Sequence, residues 1–550
     1  MEPNTATESP GPKAGKREWI GLAVLALPTL LLSLDISVLN LALPHLSADL
    51  GATATEQLWI MDIYGFMIAG FLITWGALGD LIGRRKLLLI GATVFGASSV
   101  LAAFSTSPEM LIAARALLGI SGATLMPSLL ALISNMFRDP KQQGMAIGAW
   151  MSCFMGGMAI GPVVGGAMLQ NWWWGSVFLL GVPVMALLLV LGPVLLPEHK
   201  GDGGGKLDLV SVALSLLTLL PFVYGVKHLA IDGVTALSVG GVLVGLVFGA
   251  LFAARQRKLE HPLLDLRLFA NRTLSSALGV ALISSATMGG ITLLVSVYLQ
   301  QVAGLDPFIA GLWLVPAFAL AVLGNMVAPA AAAKYKPAHV IAVGLLVTAL
   351  GLVLLTFTDS VGSVALVVVG YAIAFAGTSP MGVLSTQLVV GSAPPEKAGA
   401  ASALSETNGE FGISFGIAVL GTIGAAAYQS AVVVPRDLPP ADAEAVNDSL
   451  PAAADVASRL PGDLADQVLG AARAAFTDGL HVVGWIAGGA MVLLAALVVA
   501  VLRHVPAPSA EGGQDEPVDR DTTAQDATDR DTTGRDAARQ VSEEQHTGRR

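Results

Sequence analysis

The chain has 550 residues, 54% of them hydrophobic and only 13% charged, with mean hydropathy +0.70 and a formal net charge of −10. A soluble protein of this size carries about 25% charged residues, so a water-soluble globular fold is excluded; the apolar runs are also too long for the alternating ~10-residue strands of an outer-membrane barrel. The acidity says nothing of a nucleic-acid or anionic partner, because 430–478 holds 8 acids against 3 bases and the tail from Val505 onward 11 against 6, which together make the whole imbalance.

Residues 1–18 carry Lys13, Lys16 and Arg17 and read as a cytoplasmic N-terminal segment. The apolar run that follows outlasts any signal-peptide core, so no cleavable leader is expected. Segments long enough to cross a ~30 Å hydrocarbon core then recur at 19–43, 56–78, 87–105, 108–133, 141–169, 173–196, 207–229, 234–254, 273–300, 307–333, 337–357, 361–389, 397–426 and 479–502, which is 14 spans in an all-α polytopic membrane protein. With the N-terminus inside, the inner ends also collect Arg84, Arg85, Lys86, Arg138, Lys141, Lys200, Lys206, Arg255, Arg257, Lys258, Arg267, Arg272, Lys334, Lys336, Lys397 and Arg503. The short outer loops hold only Lys227, the bias expected of inward-facing positive charge. Both termini are therefore placed in the cytoplasm.

The long outer connection 430–478 contains Arg436, Arg459 and Arg473 and is punctuated by Pro435, Pro439, Pro440, Pro451 and Pro461. Stretches 441–449 and 463–476 have helical composition, so a helical hairpin over the outer mouth and a loosely ordered loop both remain open. In the 505–550 tail, Arg520-Asp521-Thr522-Thr523 repeats as Arg530-Asp531-Thr532-Thr533, a charged low-complexity pattern expected to be disordered. The single cysteine, Cys153, forms no internal disulfide.

An ionisable group inside a span costs roughly 2.5–3.5 kcal/mol on insertion scales. Four acids bear that cost, Asp35, Asp62, Glu406 and Glu410, and one base, Arg115. At about 1.5 Å per residue, Asp35 and Asp62 sit ~12 and ~9 Å from the outer ends of spans one and two. Glu406 and Glu410, four residues apart, share one helical face near the middle of span thirteen. Burial and a neighbouring carboxylate both disfavour the ionised form, so such groups exchange protons near neutral pH, and when ionised they attract cations. Competition of proton and cation for one carboxylate is the thermodynamic core of antiport and needs no metal or nucleotide cofactor. The plainer alternative is a structural ion pair with Arg115, which can neutralise one of the four.

Several motifs surround these charges. Gly76-Ala77-Leu78-Gly79-Asp80-Leu81-Ile82-Gly83-Arg84-Arg85-Lys86 closes span two; its glycines permit a tight turn, and Asp80 and Arg84 can pair. Span one contains Leu34-Asp35-Ile36-Ser37-Val38-Leu39-Asn40-Leu41-Ala42-Leu43-Pro44, and span four Arg115-Ala116-Leu117-Leu118-Gly119. Span five contains Gly157-Met158-Ala159-Ile160-Gly161-Pro162-Val163-Val164-Gly165-Gly166, whose small residues let helices approach closely and whose proline can kink the span. Packing alone also accounts for that last pattern.

Together these resemble the major facilitator superfamily, and in particular its 14-helix drug:proton antiporters of the QacA/SmvA quaternary-ammonium type. Ser37 stands where Thr is usual and Leu118 where Gln is common. Pro262-Leu263-Leu264-Asp265-Leu266-Arg267-Leu268-Phe269, the Glu406/Glu410 pair and the long outer loop fit the same type. The resemblance implies the major facilitator fold: a six-helix bundle at 19–196, two inserted helices at 207–254 and a second six-helix bundle at 273–502. It implies a cytoplasmic gating motif at Gly76, Asp80, Gly83, Arg84 and Arg85 and an antiporter motif at Gly157, Gly161, Pro162, Gly165 and Gly166. It implies proton-coupled export of hydrophobic cations (quaternary ammonium biocides, dyes, biguanides) across the bacterial cytoplasmic membrane. Some family members carry an acid in span ten; none lies between 309 and 333, Asp306 preceding the span, so a divalent-cation site is not implied.

Candidate cavity residues are Trp59, Tyr64, Trp150, Phe154 and Met155, since aromatic faces hold cations and Met adapts to varied shapes; packing or lipid contact is the commoner fate of such residues. Trp172, Trp173 and Trp174 read as an interfacial belt. The expected partners are small hydrophobic cations, protons and lipid, with no nucleic acid, and the working unit is taken as a monomer. The rival transporter reading is self-resistance, export of an endogenous antibiotic or other metabolite, neutral ones included. A membrane enzyme would leave the buried acids unexplained, and no His cluster, nucleophile motif or nucleotide loop supports one.

Overall fold

The computed structural model describes residues 13–52, 54–198, 208–231, 234–259, 262–360, 362–393 and 398–502. The 505–550 tail lies outside them. All regular structure among the described residues is helical: α1 (Lys16–Leu50), α2 (Ala54–Ile82), α3 (Arg84–Ala103), α4 (Pro108–Met136), α5 (Pro140–Asn171), α6 (Ser176–Leu179), α7 (Gly181–Leu195), α8 (Leu209–Ile231), α9 (Ala236–Gln256), α10 (Arg272–Val297), α11 (Pro307–Ala332), α12 (Pro337–Leu354), α13 (Val364–Gly391), α14 (Ala398–Ala431), α15 (Pro440–Asp448), α16 (Leu450–Ala457) and α17 (Gly462–Leu502). Fourteen helical stretches are long and apolar enough to cross a membrane.

Local chemistry fixes several starts. Ser107, Asp139 and Asp306 each precede a proline and accept a backbone N–H of the first turn, from Met110, Gln142 and Phe308. A capping oxygen followed by proline at the first helical position satisfies one orphan donor and removes another. Asp306 is thereby accounted for as a helix cap.

In the first half, α2 packs on α4, α1 on α5, and α3 on α4 and α7. In the second, α10 packs on α14, α11 and α12 on α13, and α17 on α12 and α14. The halves meet where α5 lies along α11 and where α14 lies against α2 and α4. Helices α8 and α9 pack chiefly on each other, and α8 also touches α2 and α14.

Two elements run beyond their apolar cores. Helix α1 spans 35 residues rather than 19–43. In 430–478, α16 folds onto α17 and α15 onto α16 and α14, burying Val446, Leu450 and Val456, and Tyr428 donates its hydroxyl to the Val446 carbonyl at 2.7 Å. The stretch 463–476 is not a separate hairpin arm: α17 continues from Gly462 to Leu502 as one helix of 41 residues. Nothing breaks the helix after Pro461, and Val468, Ala472, Ala475 and Leu480 bury one continuous face.

Candidate functional site

Arg115 is the centre of the first charged cluster. It is 1% exposed on α4. Its Nη1 donates to Asp35 Oδ2 of α1 at 2.7 Å and its Nε to the Ile60 carbonyl of α2 at 3.0 Å. The Tyr64 ring lies under the guanidinium, 4.8 Å from Cζ. Gly119 permits this reach: a Cβ there would stand 2.5 Å from the Tyr64 carbonyl, so only glycine lets α4 approach α2 so closely. Asp35 is therefore held in an ion pair from a residue 80 positions away.

Glu406 and Glu410 lie one turn apart on α14, as the four-residue spacing dictates. No basic side chain among the described residues pairs with Glu406. Tyr64 falls within electrostatic reach of both Asp35 and Glu410, one carboxylate from each half. Its buried hydroxyl has no hydrogen-bond partner among the described residues. Asp62 belongs to α2, but its side chain lies outside those described. No three His, Cys, Asp or Glu side chains converge as metal ligands among the described residues.

The motif after span two is a built corner. Buried Arg84 donates from Nη2 to the Gly76 carbonyl at 2.6 Å and from Nε to Asp80 Oδ1 at 3.0 Å. Gly83 has φ +107, a conformation that favours glycine, and a side chain there would overlap Glu198. Arg85 pairs with that same Glu198 at 3.3 Å and donates to the Leu196 carbonyl at 3.0 Å. Sequence reading missed Glu198; it directly follows span six near the inner-end bases Lys200 and Lys206, which was the available signal.

In α5 the glycines serve two neighbours. A Cβ at Gly157 would overlap Ser33 Oγ and the Leu30 carbonyl of α1, and one at Gly165 would stand 2.8 Å from Val38. A Cβ at Gly148 would stand 2.5 Å from the Asn325 carbonyl of α11, and one at Gly166 would stand 3.2 Å from Phe308. Gly161 is buried; the Pro162 side chain lies outside those described.

A family model described as Major Facilitator Superfamily matches residues 25–417. The chain belongs to the major facilitator superfamily. The multidrug efflux pump LfrA of Mycolicibacterium smegmatis is 43% identical over 486 residues, covering 88% of this chain and 96% of that protein. The methyl viologen resistance protein SmvA of Salmonella typhimurium is 33% identical, over 88% of this chain and 97% of its own. A tetracenomycin C resistance and export protein of Streptomyces glaucescens is 29% identical, over 95% and 98%. The human organic anion transporter MFSD10 shares the fold, with TM-score 0.52 and 14% identity over 88% of this chain and 98% of that one. The protein is thus a multi-pass membrane transporter of small molecules.

Within this facilitator the aromatic candidates separate. Trp59, 38% exposed, stacks on Tyr224 of α8 at 6.2 Å and meets Phe66 edge-on at 6.3 Å. Trp150 is corrected: only 3% exposed, it donates Nε1 to Thr29 Oγ1 at 2.7 Å and packs α5 against α1 instead of lining a cavity. Its indole N–H found a partner in the core, as a buried Trp requires. Phe154 and Met155 are half-buried on α5. Sequence reading missed Phe222, Phe411 and Phe415, whose rings stack at 5.0 and 6.2 Å; the signal was two phenylalanines four apart directly after Glu410.

Proposed function

We propose that this transporter exports lipophilic cationic drugs, among them quaternary ammonium compounds, dyes and biguanides, across the bacterial cytoplasmic membrane in exchange for protons. The observation that carries the reading is Glu406, a carboxylate within a membrane-spanning helix and without a basic partner among the described residues. A buried, uncompensated carboxylate needs a proton or a cation. The names of two relatives, a multidrug efflux pump and a methyl viologen resistance protein, support a cationic drug as cargo.

Both termini lie in the cytoplasm in this reading, and one copy of the chain is the working unit. The bundles 19–196 and 273–502 rock against each other, with 207–254 inserted between them. In the outward-facing state, protons reach Glu406, Glu410 and the Asp35–Arg115 pair, and the bound cation leaves. After reorientation the protons leave to the cytoplasm and a new cation binds. Asp62 shares the proton or cation load from α2. Membrane potential contributes ~2.3 kcal/mol per net charge moved per 100 mV. Tyr64, Trp59, Phe154 and Met155 are proposed to line the path.

In proteoliposomes, a cationic drug should trigger proton release in the wild type and none in Glu406→Gln. Undiminished ethidium-coupled release in that variant ends the assignment. The self-resistance reading keeps support from the tetracenomycin C exporter. It predicts proton release with a neutral metabolite that competes with ethidium.

A further inference from the structure

The face opposite the α15–α16 cap holds a cavity that the transport cycle does not use. Its volume is about 350 Å³, within the range of small-ligand sites (about 300–1,000 Å³). Lys13, Arg17 and Arg138 line it together with Asn135, Leu195 and one acid, Glu18. Glu18 is engaged locally, its Oε2 accepting the Gly15 N–H at 2.7 Å at the start of α1. Arg17 is set at the rim by donating Nη2 to the Val194 carbonyl at 2.7 Å, and the segment leading into α1 is pinned where the Ala14 N–H donates to Gln142 Oε1 at 2.7 Å. Arg138 forms no ion pair among the described residues. The Asn135 Nδ2 is buried and finds no acceptor there. Three cations and an unused amide donor thus converge on one hollow where α1, the α4–α5 link and the end of α7 meet.

The surface beside the hollow is apolar. Ile20, one turn along α1 from Arg17, is 53% exposed, and Val194 is 65% exposed. Trp19 packs edge-on against Phe137 at 4.9 Å, an amphipathic ring of the kind that favours a membrane–water interface. Positive charge directly above exposed aliphatic surface matches a phospholipid; a soluble anion would gain nothing from Ile20 and Val194. Basic pockets between membrane helices on the inner face are suited to anionic headgroups.

We propose that this cavity binds the phosphate headgroup of an anionic phospholipid, its phosphoryl oxygens accepting from Arg17, Arg138, Lys13 and Asn135 and its acyl chains lying over Ile20 and Val194. The bound lipid ties α1, α4 and α7 together at one end. The choice of leaflet rests on the orientation under Proposed function; the binding itself does not.

The test is native mass spectrometry of the full chain in detergent, titrated with phosphatidylglycerol, phosphatidylcholine or inorganic phosphate. The expected result is retained phosphatidylglycerol, preferred over phosphatidylcholine, with affinity falling about fivefold for each charge removed in Arg138→Gln and Arg17→Gln/Arg138→Gln. Lys334→Gln, an exposed base elsewhere on this face, should leave retention unchanged. Unaltered retention in the double variant overturns the proposal. So does equal retention of phosphatidylcholine, or displacement of the lipid by equimolar inorganic phosphate, which would make the site one for a free anion. Arg138→Gln touches no described ion pair, so misfolding does not cloud that arm. Thiol labelling of Lys13→Cys in a Cys153→Ala background, in inverted vesicles, reads the orientation separately.

Discussion

Asp35 and Glu406 are both carboxylates in membrane-spanning helices, one in each half of the molecule, yet they meet opposite surroundings. Asp35 has a guanidinium at 2.7 Å, itself anchored to the α2 backbone and lying over the Tyr64 ring. Glu406 has a second carboxylate one turn away and no basic partner among the described residues. The contrast teaches that carboxylates sunk in the membrane differ by their surroundings: one charge is compensated and holds three helices together, and the other, under the proposed function, is the one left to a proton or a cation.

The largest effect should come from Asp35→Asn, which leaves Arg115 buried without its counter-charge. Such a loss costs about 3–5 kcal/mol, so thermal unfolding in detergent should shift sharply downward along with loss of proton-coupled efflux. Glu406→Gln should instead abolish drug-triggered proton release while keeping the wild-type melting temperature, because a neutral amide removes an uncompensated charge. A melting curve for Glu406→Gln as depressed as that of Asp35→Asn would erase the distinction. Gly157→Ala should cost about 1–3 kcal/mol by overpacking α5 against α1, read as lower thermostability, whereas the same change at Gly156, where a Cβ meets open space, should be silent.

The smallest effect belongs to Asp208, directly before α8 and bonded to Arg255 at the end of α9. Arg255 donates to it at 2.8 and 3.0 Å and Ser211 at 2.6 Å, and these bonds hold its carboxyl well below the usual carboxylate range. Its contribution is therefore present above the ordinary Asp value of about 3.9 and fades as pH falls below it. Asp208→Asn should lower Tm by about 2 °C or less at neutral pH, since the pair is solvent-screened, and the difference should vanish in acid.

The fold was readable in sequence because each span is an uninterrupted apolar run and because an acid inside such a run has few innocent explanations. Boundaries were readable only where apolarity ends. The polar start of α17 carries no hydropathy signal, and its helicity depends on a face that becomes buried only in the fold. The partner of Asp35 was not readable, since four acids competed for one Arg115 in sequence and only the α1–α4 juxtaposition shows Asp35 within its reach. Trp150 is a similar case: composition proposes a cavity wall, and Thr29, 121 residues away, turns it into packing. Chemistry-bearing residues are thus visible in one dimension, and their pairings are set in three.

The unbroken run of α17 has a mechanical consequence. At 41 residues it is a beam about 60 Å long. One end carries the α15–α16 cap, and Arg473 lashes that end to the Gln301 carbonyl. The cap is tied to this beam through α16 and to α14 through the Tyr428 hydroxyl and the Val446 carbonyl, so it should move with those helices and not as a hinged lid. An antibody fragment clamped on α15 and α16 should therefore slow transport by acting on the far end of this helix without ever touching it.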